Sequence, residues 1–159
     1  MRLAGFKPTS LFDGFGINFV IFFQGCKHQC VGCHNPTTWD LSGGIYWSFD
    51  NVTAEIMKYR PLITGITLSG GDPLFQKEDA LKLANWAKNH NLQTTLYTGF
   101  NLTELFPECC DWNFDYIIDG KFIQSCKSLH YPFRGSSNQI IWKKTNCGFE
   151  NIEAGGNTA

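Results

Sequence analysis

The sequence predicts an α/β fold: an open, curved, partial (β/α) barrel of about five mainly parallel strands with flanking helices. Three observations carry this expectation. Apolar stretches at 17–23, 65–68, 93–97, 116–118 and 139–142 alternate with segments of helical spacing, the order of βαβ units around a parallel sheet. The first four each run into a short polar segment, respectively Gly25-Cys26, Ser69-Gly70-Gly71-Asp72, Thr98-Gly99 and Asp119-Gly120-Lys121. Loops at that edge of a parallel sheet are where ligands bind. Five strands are too few to close an eight-stranded barrel, so the sheet is expected to stay open.

Ile17 to Phe23 is nearly continuous in β-branched and aromatic residues, as in a strand covered on both faces. Pro36 to Asp50 places Thr37, Thr38, Ser42, Gly43 and Gly44 around Trp39 and Trp47 and reads as a loop. Asp50 or Asn51 offers an N-cap to a helix with Val52, Ile56 and Tyr59 on one face, stopped by Pro61. Gly65-Ile66-Thr67-Leu68 is the second strand. A helix follows with Ala80, Leu83, Ala84 and Ala87 as its apolar stripe and Glu78 and Lys82 as an i,i+4 pair elsewhere. Gln93 to Tyr97 is the third strand, and Leu102 to Phe106 gives one or two helical turns before Pro107. Tyr116 to Ile118 and Gln139 to Trp142 are the fourth and fifth strands. A chain of 159 residues suits one domain, taken as 1–149, with a Gly/Asn-rich flexible C-terminal tail at 150–159.

Charge and hydropathy remove several function classes. With 13 basic and 14 acidic residues, a net charge of -1 and no basic run, the electrostatic footprint of nucleic-acid binding is missing. Met1 to Ser10 lacks an apolar signal core, and the longest apolar stretch, Ile17 to Phe23, is far too short to span a bilayer. No membrane partner is expected, and the location expected is cytoplasmic. Seven cysteines, an odd number in a chain without a secretion signal, argue for thiols or metal ligands over a disulfide framework.

Three of those cysteines, Cys26, Cys30 and Cys33, stand in a C-x3-C-x2-C run directly after the first predicted strand. A loop this short can aim three thiolates at one point. Iron-sulfur cubes are normally held by four thiolates, so a cube held by three keeps one iron open for another ligand. A tetrahedral zinc site completed by His28 or His34 is a second reading, although no second half of a zinc pattern is visible. A redox pair of Cys30 and Cys33 is a third, and it leaves Cys26 without a role. Gly70 and Gly71 let the backbone approach a ligand, and Asp72 offers a carboxylate to an ammonium group.

The triad, followed after the next strand by the glycine pair and carboxylate, resembles the radical S-adenosylmethionine superfamily. Within it, Gly25-Cys26 to Cys33-His34-Asn35, Thr38-Trp39, Leu68-Ser69-Gly70-Gly71-Asp72-Pro73-Leu74, Tyr97-Thr98-Gly99-Phe100, Asp119-Gly120-Lys121-Phe122 and Arg134-Gly135-Ser136-Ser137-Asn138-Gln139 resemble the branch whose members activate anaerobic (class III) ribonucleotide reductase. The likeness runs from about Gly14 to Gln139. Much of the superfamily has an aromatic residue before the third cysteine, where this chain has Gly32. This branch tends to have glycine there and an aromatic residue after the cysteine, where this chain has His34.

The resemblance implies an oxidoreductase, a glycyl-radical activase with a fold of the radical S-adenosylmethionine type. Cys26, Cys30 and Cys33 would hold one 4Fe-4S cluster whose fourth iron chelates the amino and carboxylate groups of S-adenosylmethionine. Ser69, Gly70, Gly71 and Asp72 would bind the methionine moiety, Gly32, Cys33, His34 and Asn35 would lie at the adenine, and Thr98 would complete the cofactor contacts. Reductive cleavage would give a 5′-deoxyadenosyl radical that takes a hydrogen atom from a glycine of the partner, the large subunit of the anaerobic reductase. An electron donor resembling flavodoxin is implied, since Cys109, Cys110, Cys126 and Cys147 match no second cluster pattern. The Arg134 to Gln139 block reads equally as an anion clamp or as a device that orders the last crossing of the chain, and Lys121 as a partner of Asp119 or of a cofactor carboxylate. An activase of another glycyl radical enzyme, such as pyruvate formate-lyase, and a zinc-stabilised binding module are the alternatives.

Overall fold

Four of the five expected strands pair in parallel at the centre of one sheet: β2 (Asn18–Phe23), β4 (Gly65–Gly70), β5 (Gln93–Tyr97) and β6 (Tyr116–Asp119). The computed structural model describes residues 1–128 and 130–152. Among them the sheet has eight strands, in the order β3-β1-β2-β4-β5-β6-β7-β8, with β1 (Arg2–Ser10), β3 (Ile45–Tyr46), β7 (Ile140–Thr145) and β8 (Gly148–Asn151) added outside the parallel centre. These four outer strands all pair antiparallel.

The expectation of five mainly parallel strands is therefore corrected at both sides of the sheet. On one side, Gly5 and Pro8 hide β1 by breaking its alternation, and the pairing with β2 absorbs them at register shifts between Leu3 and Gly5 and between Lys7 and Ser10. β3 is two exposed residues, too short to leave a periodic trace. On the other side, the fifth strand runs antiparallel because the chain after β6 returns to the place it left. The Gln139 side-chain amide donates to the Gly120 carbonyl at 2.9 Å, so β7 starts where β6 ends, with Asp119 opposite Ile140. Parallel pairing needs a crossover to the opposite edge, which this return does not make. β8 then pairs back on β7 and holds Glu150 and Asn151 in the sheet, inside the stretch expected to be a tail. Residues 153–159 of that tail lie outside the described residues.

Two helices, α1 (Phe49–Lys58) and α2 (Lys77–Asn89), cover one face. α1 starts before the expected caps: the Ser48 hydroxyl accepts from the Asn51 amide at 3.2 Å, which leaves Asp50 in the first turn, where a carboxylate opposes the helix dipole favourably. Val52 and Ile56 of α1 and Ala80, Leu83, Ala84 and Ala87 of α2 are buried with Phe19, Ile21, Phe23, Ile66, Leu68, Leu96 and Ile117 of the strands. The alternation of each strand thus sends every second residue to this core. Lys82 lies over the Phe49 ring, 4.2 Å from its centroid, and not against Glu78 as expected.

Every other strand residue faces the opposite side, which no α-helix covers among the described residues. There residues 11–17 cross the sheet as an irregular strap that bends along its length. Thr67 donates its hydroxyl proton to the Asp13 carbonyl, Asn18 donates to the Phe15 carbonyl at 3.0 Å, and Phe15 stacks on Tyr116 with ring centroids 4.1 Å apart. A strap beside residues 18, 67 and 116 touches three of the parallel strands. It closes this face up to the strand ends, where a cavity begins.

Candidate active site

A cavity of about 400 Å³ opens at the C-terminal ends of the parallel strands. That volume falls in the range of small-molecule sites. Phe22, Ser69 and Tyr97, one from each of β2, β4 and β5, line it together with Phe12 and Asp13 of the strap. Cys26, Cys30 and Cys33 all line it. The short loop that follows β2 therefore brings the three thiols to one hollow.

Backbone hydrogen bonds fix that loop. The Gly25 and Cys26 amides donate to the Thr38 and Trp39 carbonyls at 2.7 and 3.1 Å, and the Cys33 amide donates to the Cys30 carbonyl at 3.1 Å. Thr38 is held in turn, since its hydroxyl donates to the Asn35 carbonyl at 2.7 Å. On the neighbouring strand, Gly70 has φ +107, and a Cβ there would stand 2.4 Å from the Phe23 nitrogen. A Cβ on Gly71 would stand 2.5 Å from the Gly25 oxygen and 2.9 Å from the Thr38 oxygen. The glycine pair is thus dictated by close approach of the β4 end to the cysteine loop, which sets backbone rather than side chain against the cavity.

Among the other residues expected at the cofactor, His34, Asn35, Ser69, Gly70, Gly71 and Thr98 line the cavity with Cys33. The remaining two lie off that wall. Gly32 is exposed, faces Gln124 and is not part of the wall. Asp72 is 1% exposed and lies behind the wall, its carboxylate already taken by groups of this chain. Burial of that carboxylate follows from its capping of the 3-10 turn Pro73–Gln76, where it accepts from the Leu74 amide at 2.9 Å.

Lys121 lines the cavity but does not pair with Asp119. Asp119 instead accepts from the Leu102 amide at 2.5 Å and anchors the turn after β5. Burial pushes the Asp119 carboxyl above its ordinary range, and the Leu102 amide pulls it part of the way back. The Arg134 to Gln139 block orders the last crossing. Gln139 accepts from the Gly135 and Ser136 amides at 2.9 and 3.2 Å, while Asn138 donates to the Lys121 carbonyl at 2.9 Å. Only Arg134, Gly135 and Gln139 of the block reach the cavity wall.

Sequence reasoning missed Phe12, Asp13, Phe22, Tyr97 and Phe133 on the wall. Strand alternation carries the signal for two of them, because Phe22 and Tyr97 sit out of phase with the core residues Ile21, Phe23 and Leu96. For the strap no periodic signal exists.

The chemistry of the donor set fits an iron-sulfur cube with a bound cosubstrate. Three thiols line one hollow, and two donors on its wall, the Trp39 indole nitrogen and the Arg134 Nε, are buried without an acceptor among the described residues. A buried N–H without a partner is costly, so such a wall suits a ligand rich in acceptors. Burial pushes the Cys26 thiol above its ordinary value, the backbone amides of His28 and Gln29 lower it again, and the Asp72 charge adds to the rise. Metal binding at Cys26 must then displace a proton. Among the described residues no three His, Cys, Asp or Glu side chains converge as around one metal ion. A cube takes its thiolates on separate irons and does not ask for that convergence. The remaining cysteines sit apart from the cavity wall: Cys109 is buried in the core and Cys147 is exposed beside β8.

Comparison with known proteins agrees with this donor set. Residues 12–142 match the family model described as a 4Fe-4S single cluster domain. The chain is 34% identical over 154 residues to the anaerobic ribonucleoside-triphosphate reductase-activating protein of Vibrio cholerae, covering 91% of this chain and 99% of that one. It is 34% identical over 151 residues to the protein of that name from Salmonella typhimurium, covering 89% and 97%, and 32% identical over 145 residues to that of Enterobacteria phage T4, covering 87% and 92%. Likeness of this extent, end to end and across the cysteine loop, makes the chain a member of the family of anaerobic ribonucleoside-triphosphate reductase-activating proteins.

Proposed function

We propose that this chain is a glycyl-radical activase that uses S-adenosylmethionine and a 4Fe-4S cluster to generate a glycyl radical on the anaerobic (class III) ribonucleotide reductase. The observation that carries the reading is the gathering of Cys26, Cys30 and Cys33 on a cavity shared with Ser69, Gly70 and Thr98. Cys26, Cys30 and Cys33 would hold the cluster, leaving one iron free of protein ligands. When bound, the cluster supplies the electron that breaks the 5′ carbon–sulfur bond of S-adenosylmethionine and so opens the way to hydrogen abstraction from glycine.

The chain's own residues bind, orient and shield. Gly70 and Gly71 present backbone to the methionine end, with Ser69 beside them, and His34 and Asn35 lie at the adenine end. The Trp39 indole N–H and the Arg134 Nε–H are donors awaiting acceptors. Phe12 and Phe22 line the hollow with apolar surface, which would help shield reactive species once a partner covers the mouth. Phe12 is 80% exposed, and Val31 in the cysteine loop is exposed as well. That apolar rim suits a protein substrate that covers the mouth itself, so the small chain needs no lid of its own.

The same reading includes a sheet curved as a partial barrel, one domain extending through β8, a cytoplasmic location and an external donor resembling flavodoxin. A reducing compartment agrees with seven free cysteines, and among the described residues no helix is long and apolar enough to cross a membrane. The test is anaerobic incubation of cluster-loaded protein with reductant, S-adenosylmethionine and the reductase large subunit, followed by electron paramagnetic resonance. A glycyl doublet that requires all four components is expected. Cleavage of S-adenosylmethionine with no protein radical would refute the assigned substrate.

A further inference from the structure

We propose that His28 and Asp72 form a positioning pair that locks the cysteine loop onto the β4 and β5 ends, and that Asp72 serves the cofactor only through this lock. The inference rests on the activase reading and deepens it. His28 lies between Cys26 and Cys30, yet its side chain is only 8% exposed. Its ring packs with Phe75 and Phe100 in a cluster of three, with centroids 5.4 and 4.6 Å away, and its Nε2 donates to Asp72 Oδ2 at 2.8 Å. Gly99 is packed against the same ring, since a Cβ there would stand 2.5 Å from His28 Cδ2.

The carboxylate of Asp72 collects donors from three loops at once. Besides His28 it accepts from the Leu74 amide at 2.9 Å, from the Gly99 amide at 2.8 Å and from the Thr98 hydroxyl at 3.0 and 3.1 Å to its two oxygens. A carboxylate offers about four lone-pair sites, so these four groups fill it. No capacity is left for a cofactor ammonium, and the side chain does not reach the cavity. What Asp72 does is fix the distance between the thiol-bearing loop and the backbone of Gly70, Gly71, Thr98 and Gly99. Partners one step behind a metal ligand typically change affinity or activity by about 10–100-fold when removed.

The experiment compares His28→Ala and His28→Gln with the parent protein, each loaded with the cluster anaerobically. Three quantities are read: iron and sulfide content, the dissociation constant for S-adenosylmethionine, and the change in the reduced cluster's electron paramagnetic resonance signal on adding it. For His28→Ala the cysteines remain, so iron and sulfide should hold while S-adenosylmethionine affinity falls about 10-fold or more and the signal change shrinks. For His28→Gln, whose amide can still donate to Asp72, both should recover most of the way. Parent affinity and an unchanged spectral response in His28→Ala would overturn the proposal. If His28→Ala does not fold, His28→Gln with an unrestored affinity or response overturns it as well. Glycyl radical formation by the parent is followed in parallel: its absence with a His28-dependent response sinks the assigned substrate and leaves the pair standing.

Discussion

Cys26→Ala, Cys30→Ala and Cys33→Ala are each expected to yield a folded but colourless protein, against about four irons per chain in the reconstituted parent. The fold should tolerate the change, because Cys30 and Cys33 are only half-buried on a cavity wall and the hydrophobic core is made by other residues. The cluster should not, since a cube with three protein ligands has none to spare. S-adenosylmethionine cleavage is then expected to drop to background in all three variants. Replacement of Cys109, which lies in the core and away from the cavity, should instead lower stability and leave iron content alone. Iron analysis, visible absorption and thermal unfolding of the variants check this directly. A full complement of iron and sulfide in all three would remove the cluster from the account.

Gly71→Ala is expected to be the most damaging change that touches no reactive group. The added methyl meets two backbone oxygens, those of Gly25 and Thr38, at 2.5 and 2.9 Å, and neither can swing away as a side-chain tip could. Both oxygens are also structural acceptors: Thr38 receives the Gly25 amide, and Gly25 receives the Asp72 amide at 3.0 Å. Displacing them loosens the cysteine loop from the β4 end. Overpacking of this kind costs about 1–3 kcal/mol, which for a chain of this size lowers Tm by roughly 3–10 °C. The larger effect should fall on cosubstrate binding, because the backbone that faces the cavity moves. Thermal unfolding and an S-adenosylmethionine titration decide it, and a variant with parent Tm and parent affinity would show that the close approach is not needed.

The centre of the fold is legible from apolar runs alone. Phe19 to Ile21, Ile66 to Leu68 and Thr94 to Leu96 are buried on both faces, and such strands read as continuous apolar segments. The edges are not legible for the same reason in reverse. β3 is too short, β1 is interrupted by Gly5 and Pro8 at its register shifts, and β8 depends on a return of the chain that Gln139 secures through Gly120.

The place of the three thiols on one loop is legible because their spacing is local. The surroundings of Asp72 are not legible, because sequence shows a carboxylate near a cavity and not how many donors already surround it. The partners that consume it, Thr98, Gly99 and His28, come from positions 26, 27 and 44 residues away. The strap residues Phe12 and Asp13 carry no signal at all, since a strap held by Thr67, Asn18 and Tyr116 has no period of its own.

The most direct measurement follows one hydrogen atom. Reductase large subunit made with deuterated glycine is mixed anaerobically with the loaded protein, reductant and unlabelled S-adenosylmethionine, and the 5′-deoxyadenosine formed is analysed by mass spectrometry. The account predicts one deuterium in that product, in step with the glycyl radical. Product formed at full yield without deuterium would contradict it, because the hydrogen would then have come from somewhere other than the partner's glycine.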